Sequence, residues 1–97
     1  MRQYVIIAYD GTDEKALERR METRPLHFEN ASKLKAANQF IAGGAILDDN
    51  DTMRGSVMMV QFETEAAFKN WYDNEPYITG NVWQQIEVKP FRLAKVK

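Results

Sequence analysis

The sequence predicts an α+β fold: one antiparallel sheet with helices on one of its faces. Three observations carry that expectation. Short runs rich in β-branched and aromatic residues alternate with stretches of helical periodicity. Glycine, proline and aspartate-rich turns separate them. The order along the chain is strand, helix, strand, strand, helix, strand.

Tyr4 to Tyr9 is a continuous apolar run closed by Asp10-Gly11, short enough to be a strand. Thr12 or Asp13 is placed to cap a short helical turn holding Ala16, Leu17 and Met21. Pro25 suits the first position of a new helix, where its missing N–H costs nothing. That helix is expected to run from Pro25 to Phe40, with Leu26, Ala31, Leu34, Ala37, Phe40 and Ile41 on one side, and to end before Gly43-Gly44. Ala45 to Leu47 reads as the second strand. The polar loop Asp48 to Thr52 and a third strand opened by Gly55 complete a hairpin. Thr64 caps a second helix with Phe68, Trp71 and Tyr72 at i, i+3 and i+4 spacing, and Pro76 stops it. Val82 to Leu93 reads as the last strand, with Ile86 and Val88 on one side and Trp83 and Phe91 on the other.

That order is the ferredoxin-like βαββαβ arrangement, a four-stranded antiparallel sheet with both helices on one face. Residues 1–97 form a single expected domain, because a chain this short has no room for two cores. The first and last strands carry large apolar side chains on both sides, so the helix-free face would expose a sizeable patch. Packing the sheets of two copies face to face covers it and encloses a cavity. A homodimer is therefore expected.

Thirteen basic and fourteen acidic residues nearly cancel, which leaves no electrostatic footprint for nucleic acid or an anionic membrane. The absence of cysteine removes disulfides, thiolate nucleophiles and cysteine-held zinc. The opening residues hold neither a membrane span nor a signal-peptide cleavage site, so a cytoplasmic location is the expectation.

The lone histidine, His27, falls within the apolar arc of its helix and points toward the sheet, and the pocket it is expected to face is the cavity between the paired sheets. Burial and a place in the first helical turn would favour a neutral ring, able to accept a proton from a substrate. A core histidine satisfied by one hydrogen bond is the competing account. Glu75, just before Pro76, sits in extended or turn backbone and is the candidate partner carboxylate. Arg24, Ser56 and Tyr77 are candidate substrate-binding residues: a cation, a hydroxyl at a strand start and a phenol beside Pro76. Asp48, Asp49 and Asp51 lack the glycine and glutamate of a calcium loop and read as a hairpin tip. One histidine without a second soft ligand does not make a tight transition-metal site, so no metal is expected. Gly43-Gly44 matches neither phosphate-binding fingerprint, and no cofactor is expected.

Arg24-Pro25-Leu26-His27 resembles the R-P-x-H motif of YciI-like proteins. Gly43-Gly44, Gly55-Ser56, Glu75-Pro76-Tyr77, Gly80 and Val88-Lys89-Pro90-Phe91 follow in the family's order over nearly the whole chain. The resemblance implies a dimeric α/β-barrel, two ferredoxin-like units joined through their sheets. It also implies an active site made of His27 and a carboxylate before the Pro-Tyr pair. The family has aspartate there, so Glu75 keeps the charge and lengthens its reach by one methylene. The implied chemistry is of lyase or isomerase type on a small polar or aromatic substrate. A non-catalytic binding or protein-interaction module on the same barrel is the alternative, and a haem-binding barrel is a third.

Overall fold

The computed structural model describes residues 1–97. Its elements are β1 (Arg2–Asp10), α1 (Ala16–Ala36), β2 (Phe40–Leu47), β3 (Met53–Phe62), α2 (Glu65–Asn74), α3 (Pro76–Thr79) and β4 (Trp83–Phe91). The four strands form one antiparallel sheet in the order β2-β3-β1-β4. This is the ferredoxin-like α+β architecture expected from the order of elements, with the short α3 added.

Alternation along β1 separates the two faces of the sheet. Ile6 and Ala8 lie opposite Met58 and Ser56 of β3, and opposite Val88 and Ile86 of β4. This face carries the core, in which Leu34 of α1, Trp71 of α2 and Tyr77 of α3 pack on Ile6, Ala8, Met58, Val60 and Phe62. Tyr4 stacks on Phe68 of α2 with ring centroids 4.0 Å apart, so α1 and α2 share one side. The other face presents Val5, Ile7, Val57, Met59 and Ile46, only half-buried and with no helix over them.

One long helix replaces the two expected segments between β1 and β2. Pro25 lies inside α1 instead of starting a helix. An interior proline deprives the carbonyl four residues back of its donor, at a cost of about 3 kcal/mol. Here that carbonyl belongs to Met21, and both Met21 and Pro25 face solvent, so the carbonyl is not sealed in the core. The buried stripe Ala16, Arg20, His27 and Leu34 runs past the proline on the opposite side and ties both halves to the sheet. Leu26, expected on the buried side, is 58% exposed.

The helix also ends earlier than Phe40. Asn38 takes a left-handed φ of 60°, and its N–H and that of Gln39 bond the carbonyls of Lys35 and Leu34, a Schellman closure. Asparagine does here what the Gly43-Gly44 pair was expected to do. Both glycines instead lie within β2, which begins at Phe40.

At α2 the expected cap is present: the Thr64 hydroxyl accepts the N–H of Ala67 at 3.1 Å. In β4 an extra residue sits between Trp83, opposite Asp10, and Gln85, opposite Tyr9. This bulge brings Trp83 onto the same face as Ile86 and Val88, against the expectation that it lies opposite them, and buries it in the core. No helix is long and apolar enough to cross a membrane.

Candidate active site

His27 stands on the sheet-facing stripe of α1, and its side chain is 9% exposed. It is eleven residues from Ala16, so the helix N-terminus invoked for it does not act on it. Its orientation comes from its neighbours. The ring stacks on Tyr77 with centroids 3.9 Å apart and planes 9° from parallel, and Trp83 meets it edge-on at 5.9 Å.

Glu75 is delivered by the corner between α2 and α3. Pro76 takes the first position of α3 and Glu75 becomes its N-cap, with extended backbone at φ −65° and ψ 124°. Its Oε1 accepts the Tyr77 N–H at 3.3 Å and is hydrogen-bonded to His27 Nδ1. One carboxylate oxygen thus caps a helix and holds the imidazole, so the dyad is fixed by backbone as well as by packing. Glu75 is 1% exposed, and its Oε2 has no hydrogen-bond partner.

A second buried polar cluster adjoins the first. Arg20, two turns before His27, points Nη1 at both oxygens of Asp10, each 3.1 Å away. Its Nη2 donates to Ser56 Oγ at 2.9 Å, and Trp83 Nε1 donates to the same oxygen at 3.1 Å. The guanidinium also lies 4.9 Å from the centre of the Tyr77 ring. Burial pushes the Asp10 carboxyl above its ordinary range, against the downward pull of Arg20. Burial likewise raises the Tyr77 phenol, whose hydroxyl has no partner.

A cavity of about 370 Å³ opens between α1 and the β2–β3 half of the sheet. Arg20, Arg24, His27, Phe28 and Lys35 line it from the helix, and Phe40, Gly43, Ser56 and Met58 from the strands. A Cβ at Gly43 would lie 3.2 Å from the Phe40 ring, so the glycine lets that ring pack closely as part of the wall. The cavity therefore lies on the helix side of one chain and not between two sheets, as had been expected for the pocket His27 faces. The physical reason is that α1 covers the face opposite the one left bare.

Of the residues singled out from sequence, His27, Arg24 and Ser56 share the cavity wall, with the Arg24 guanidinium 4.5 Å above the Phe28 ring. Glu75 and Tyr77 are not on the wall. Both touch the imidazole from behind. Arg20, Asp10 and Trp83 were not anticipated. The available signal was the arginine seven residues before His27, on the same stripe two turns away. The acidic hairpin tip is explained locally: Asp48 accepts the N–H groups of Asn50 and Thr52 and pairs with Arg54 at 3.0 Å.

The fold and the buried histidine–carboxylate pair define a small ferredoxin-like α+β protein with a cavity under its first helix. Residues 2–92 match the model of the YCII-related domain, and the chain belongs to that family. Protein YciI of Escherichia coli O6:H1 is 33% identical over 95 residues, covering 92% of this chain and 95% of that protein. An uncharacterized protein of Haemophilus influenzae is 35% identical over the same extent. Among solved structures, the 5-chloro-2-hydroxyhydroquinone dehydrochlorinase TftG of Burkholderia phenoliruptrix, in complex with 2,5-dihydroxybenzoquinone, superposes with a TM-score of 0.79. It has 20% identity, and the match covers 95% of each chain. A dimeric ferredoxin-like protein of unknown function from Jannaschia gives a TM-score of 0.59 at 12% identity, over 96% of this chain and 100% of the other. At these identities the two structures speak to fold.

Proposed function

We propose that this chain is a small acid–base enzyme of lyase or isomerase type, working on a small polar or aromatic substrate in the cavity beneath α1. The observation that carries this reading is the buried His27–Glu75 pair with His27 on the cavity wall. Glu75 engages Nδ1, so Nδ1–H donates to the carboxylate and Nε2 keeps the lone pair that meets substrate. Nε2 takes a proton from a substrate carbon or hydroxyl. The electrons released form a new π bond, and a leaving group on the neighbouring carbon departs with its bonding pair. Glu75 stabilises the imidazolium, which returns its proton to product or solvent. Without a leaving group, the same proton goes back at another carbon and the reaction is an isomerisation. Arg24 and Ser56 position the substrate. Tyr77 positions the imidazole.

The dehydrochlorinase that shares this fold makes chlorinated and hydroxylated aromatics the first compounds to assay. With 5-chloro-2-hydroxyhydroquinone and related hydroxyaromatics, followed by absorbance and chromatography, His27→Ala is expected to lower turnover by at least about 10²-fold. Its circular dichroism should be unchanged. A folded His27→Ala protein that turns substrate over at the parent rate refutes the reading.

We also infer a homodimer formed through the bare face of the sheet. The support is the apolar row Val5, Ile7, Val57 and Met59, which no helix covers. Sedimentation of the parent chain should give the mass of two copies, and Ile7→Arg should give that of one. A parent chain that sediments as a monomer at high micromolar concentration overturns the inference.

A further inference from the structure

The polarity of the Ser56 hydroxyl follows from its two neighbours. Arginine and the indole of tryptophan only donate hydrogen bonds. Arg20 Nη2 and Trp83 Nε1 both donate to Ser56 Oγ, at 2.9 and 3.1 Å, and so fill its two lone pairs. What the hydroxyl has left is its own hydrogen. Ser56 lines the cavity, so that hydrogen is available to a hydrogen-bond acceptor there.

The charge of the wall points the same way. Arg20, Arg24 and Lys35 line the cavity and no carboxylate does. Arg20 is neutralised by Asp10, whereas Arg24 and Lys35 enter no ion pair. The two buried acids nearby, Asp10 and Glu75, are both committed behind the wall. The rest of the lining is largely apolar, with Phe28, Ala31, Phe40 and Met58 among it. An apolar cavity of about 150 Å³ accepts benzene, so about 370 Å³ leaves room for one substituted ring.

We propose that the cavity selects small organic anions: the Ser56 hydroxyl hydrogen, the Arg24 guanidinium and the Lys35 ammonium receive an oxyanion or carboxylate carried on a compact apolar body. This rests on the acid–base reading of the same cavity and narrows its substrate class. An anionic oxygen held at Ser56 lies beside His27 on the same wall, which is where a proton must be exchanged.

The test is binding of two probes of equal size and opposite character, benzoate and benzamide, followed by NMR. The Trp83 indole N–H reports directly, because it is bonded to Ser56, and the Trp71 indole serves as an internal control. Benzoate is expected to shift the Trp83 and His27 signals saturably, and benzamide to bind at least about tenfold more weakly. Ser56→Ala strands two N–H groups, so the decisive variant is Arg24→Gln with Lys35→Gln, both on side chains outside the core. It should weaken benzoate about tenfold and leave benzamide unchanged. Equal affinity for the two probes, no saturable shift with benzoate, or undiminished benzoate binding in the double variant each overturns the proposal. Turnover of His27→Ala is a separate reading. A protein that prefers benzoate yet survives His27→Ala keeps the anion site and loses the acid–base role, and the reverse pattern does the opposite.

Discussion

Asp10, at the end of β1, has both oxygens on Nη1 of Arg20, whereas Glu75, between α2 and α3, engages one oxygen and leaves the other buried and bare. Both carboxylates are almost fully out of solvent. The first pair is closed at its acid: both Asp10 oxygens are bonded to an arginine that Ser56 braces, although Arg20 Nε is itself buried without a partner. The second is open, because its partner is an imidazole joined through one nitrogen, and an oxygen is left without a bond. A buried pair of the first kind holds elements together. One of the second kind costs stability for each unmade bond, and is kept where chemistry uses it.

Removing the closed pair's acid should have the largest effect. Asp10→Ala leaves the Arg20 guanidinium buried without its counter-charge and should lower stability by about 3–5 kcal/mol. Thermal unfolding would register that as a fall in Tm of at least about 12 °C. If Asp10→Ala unfolds within a few degrees of the parent, the pair does not brace the fold and the contrast fails.

The open pair should respond in the other currency. Glu75→Gln keeps the volume and the cap of α3 but removes the charge that steadies an imidazolium, so turnover should fall about 10²-fold or more. Its stability should stay within about 1 kcal/mol of the parent by urea unfolding. The reverse outcome, with turnover kept and stability lost, would make Glu75 a structural acid like Asp10.

The smallest effect is expected at Tyr77. Its ring holds His27 while its hydroxyl is buried without a partner, so Tyr77→Phe should leave turnover near parental and stability unchanged or up to about 1 kcal/mol higher at pH 7. Burial raises the folded phenol above its ordinary value of 10.0, so the folded chain holds this proton more tightly than the unfolded one. Stability from this group is complete below pH 10.0 and is lost as pH rises through the higher folded value. Urea unfolding across that alkaline range should show the decline in the parent and a flatter curve in Tyr77→Phe. A steep loss of turnover in Tyr77→Phe would instead give the hydroxyl a direct role with substrate.

The sequence made some of these features legible and concealed others, for identifiable reasons. The strands, the Thr64 cap and the hairpin came from local chemistry: β-branched runs, a hydroxyl before a helix, a polar turn. His27 was recognisable as inward-facing because the wheel through Leu34 and Ala31 already contains it. Glu75 could be placed beside Pro76, but its contact with a ring 48 residues away depends on how α1 and α3 pack. The continuity of α1 was hidden because proline marks a helix start far more often than an exposed interior position. Arg20 was hidden for a related reason: arginine defaults to the surface, and its burial here depends on an aspartate in another element. The side of the sheet on which the cavity lies is not legible, since apolar residues on both faces do not say which face α1 will occupy.

The bulge in β4 has a consequence for how this site can vary. Inward and outward positions on a strand follow odd–even counting, and the single unpaired residue before Gln85 resets that count at the point where Trp83 must join Ser56 and His27. Regular pairing of the same residues, with Gln84 opposite Asp10, would send the indole to the bare face and bring a polar side chain in, with no change in composition at the dyad itself. The spacing of one short strand end therefore decides which side chain joins Ser56 and His27.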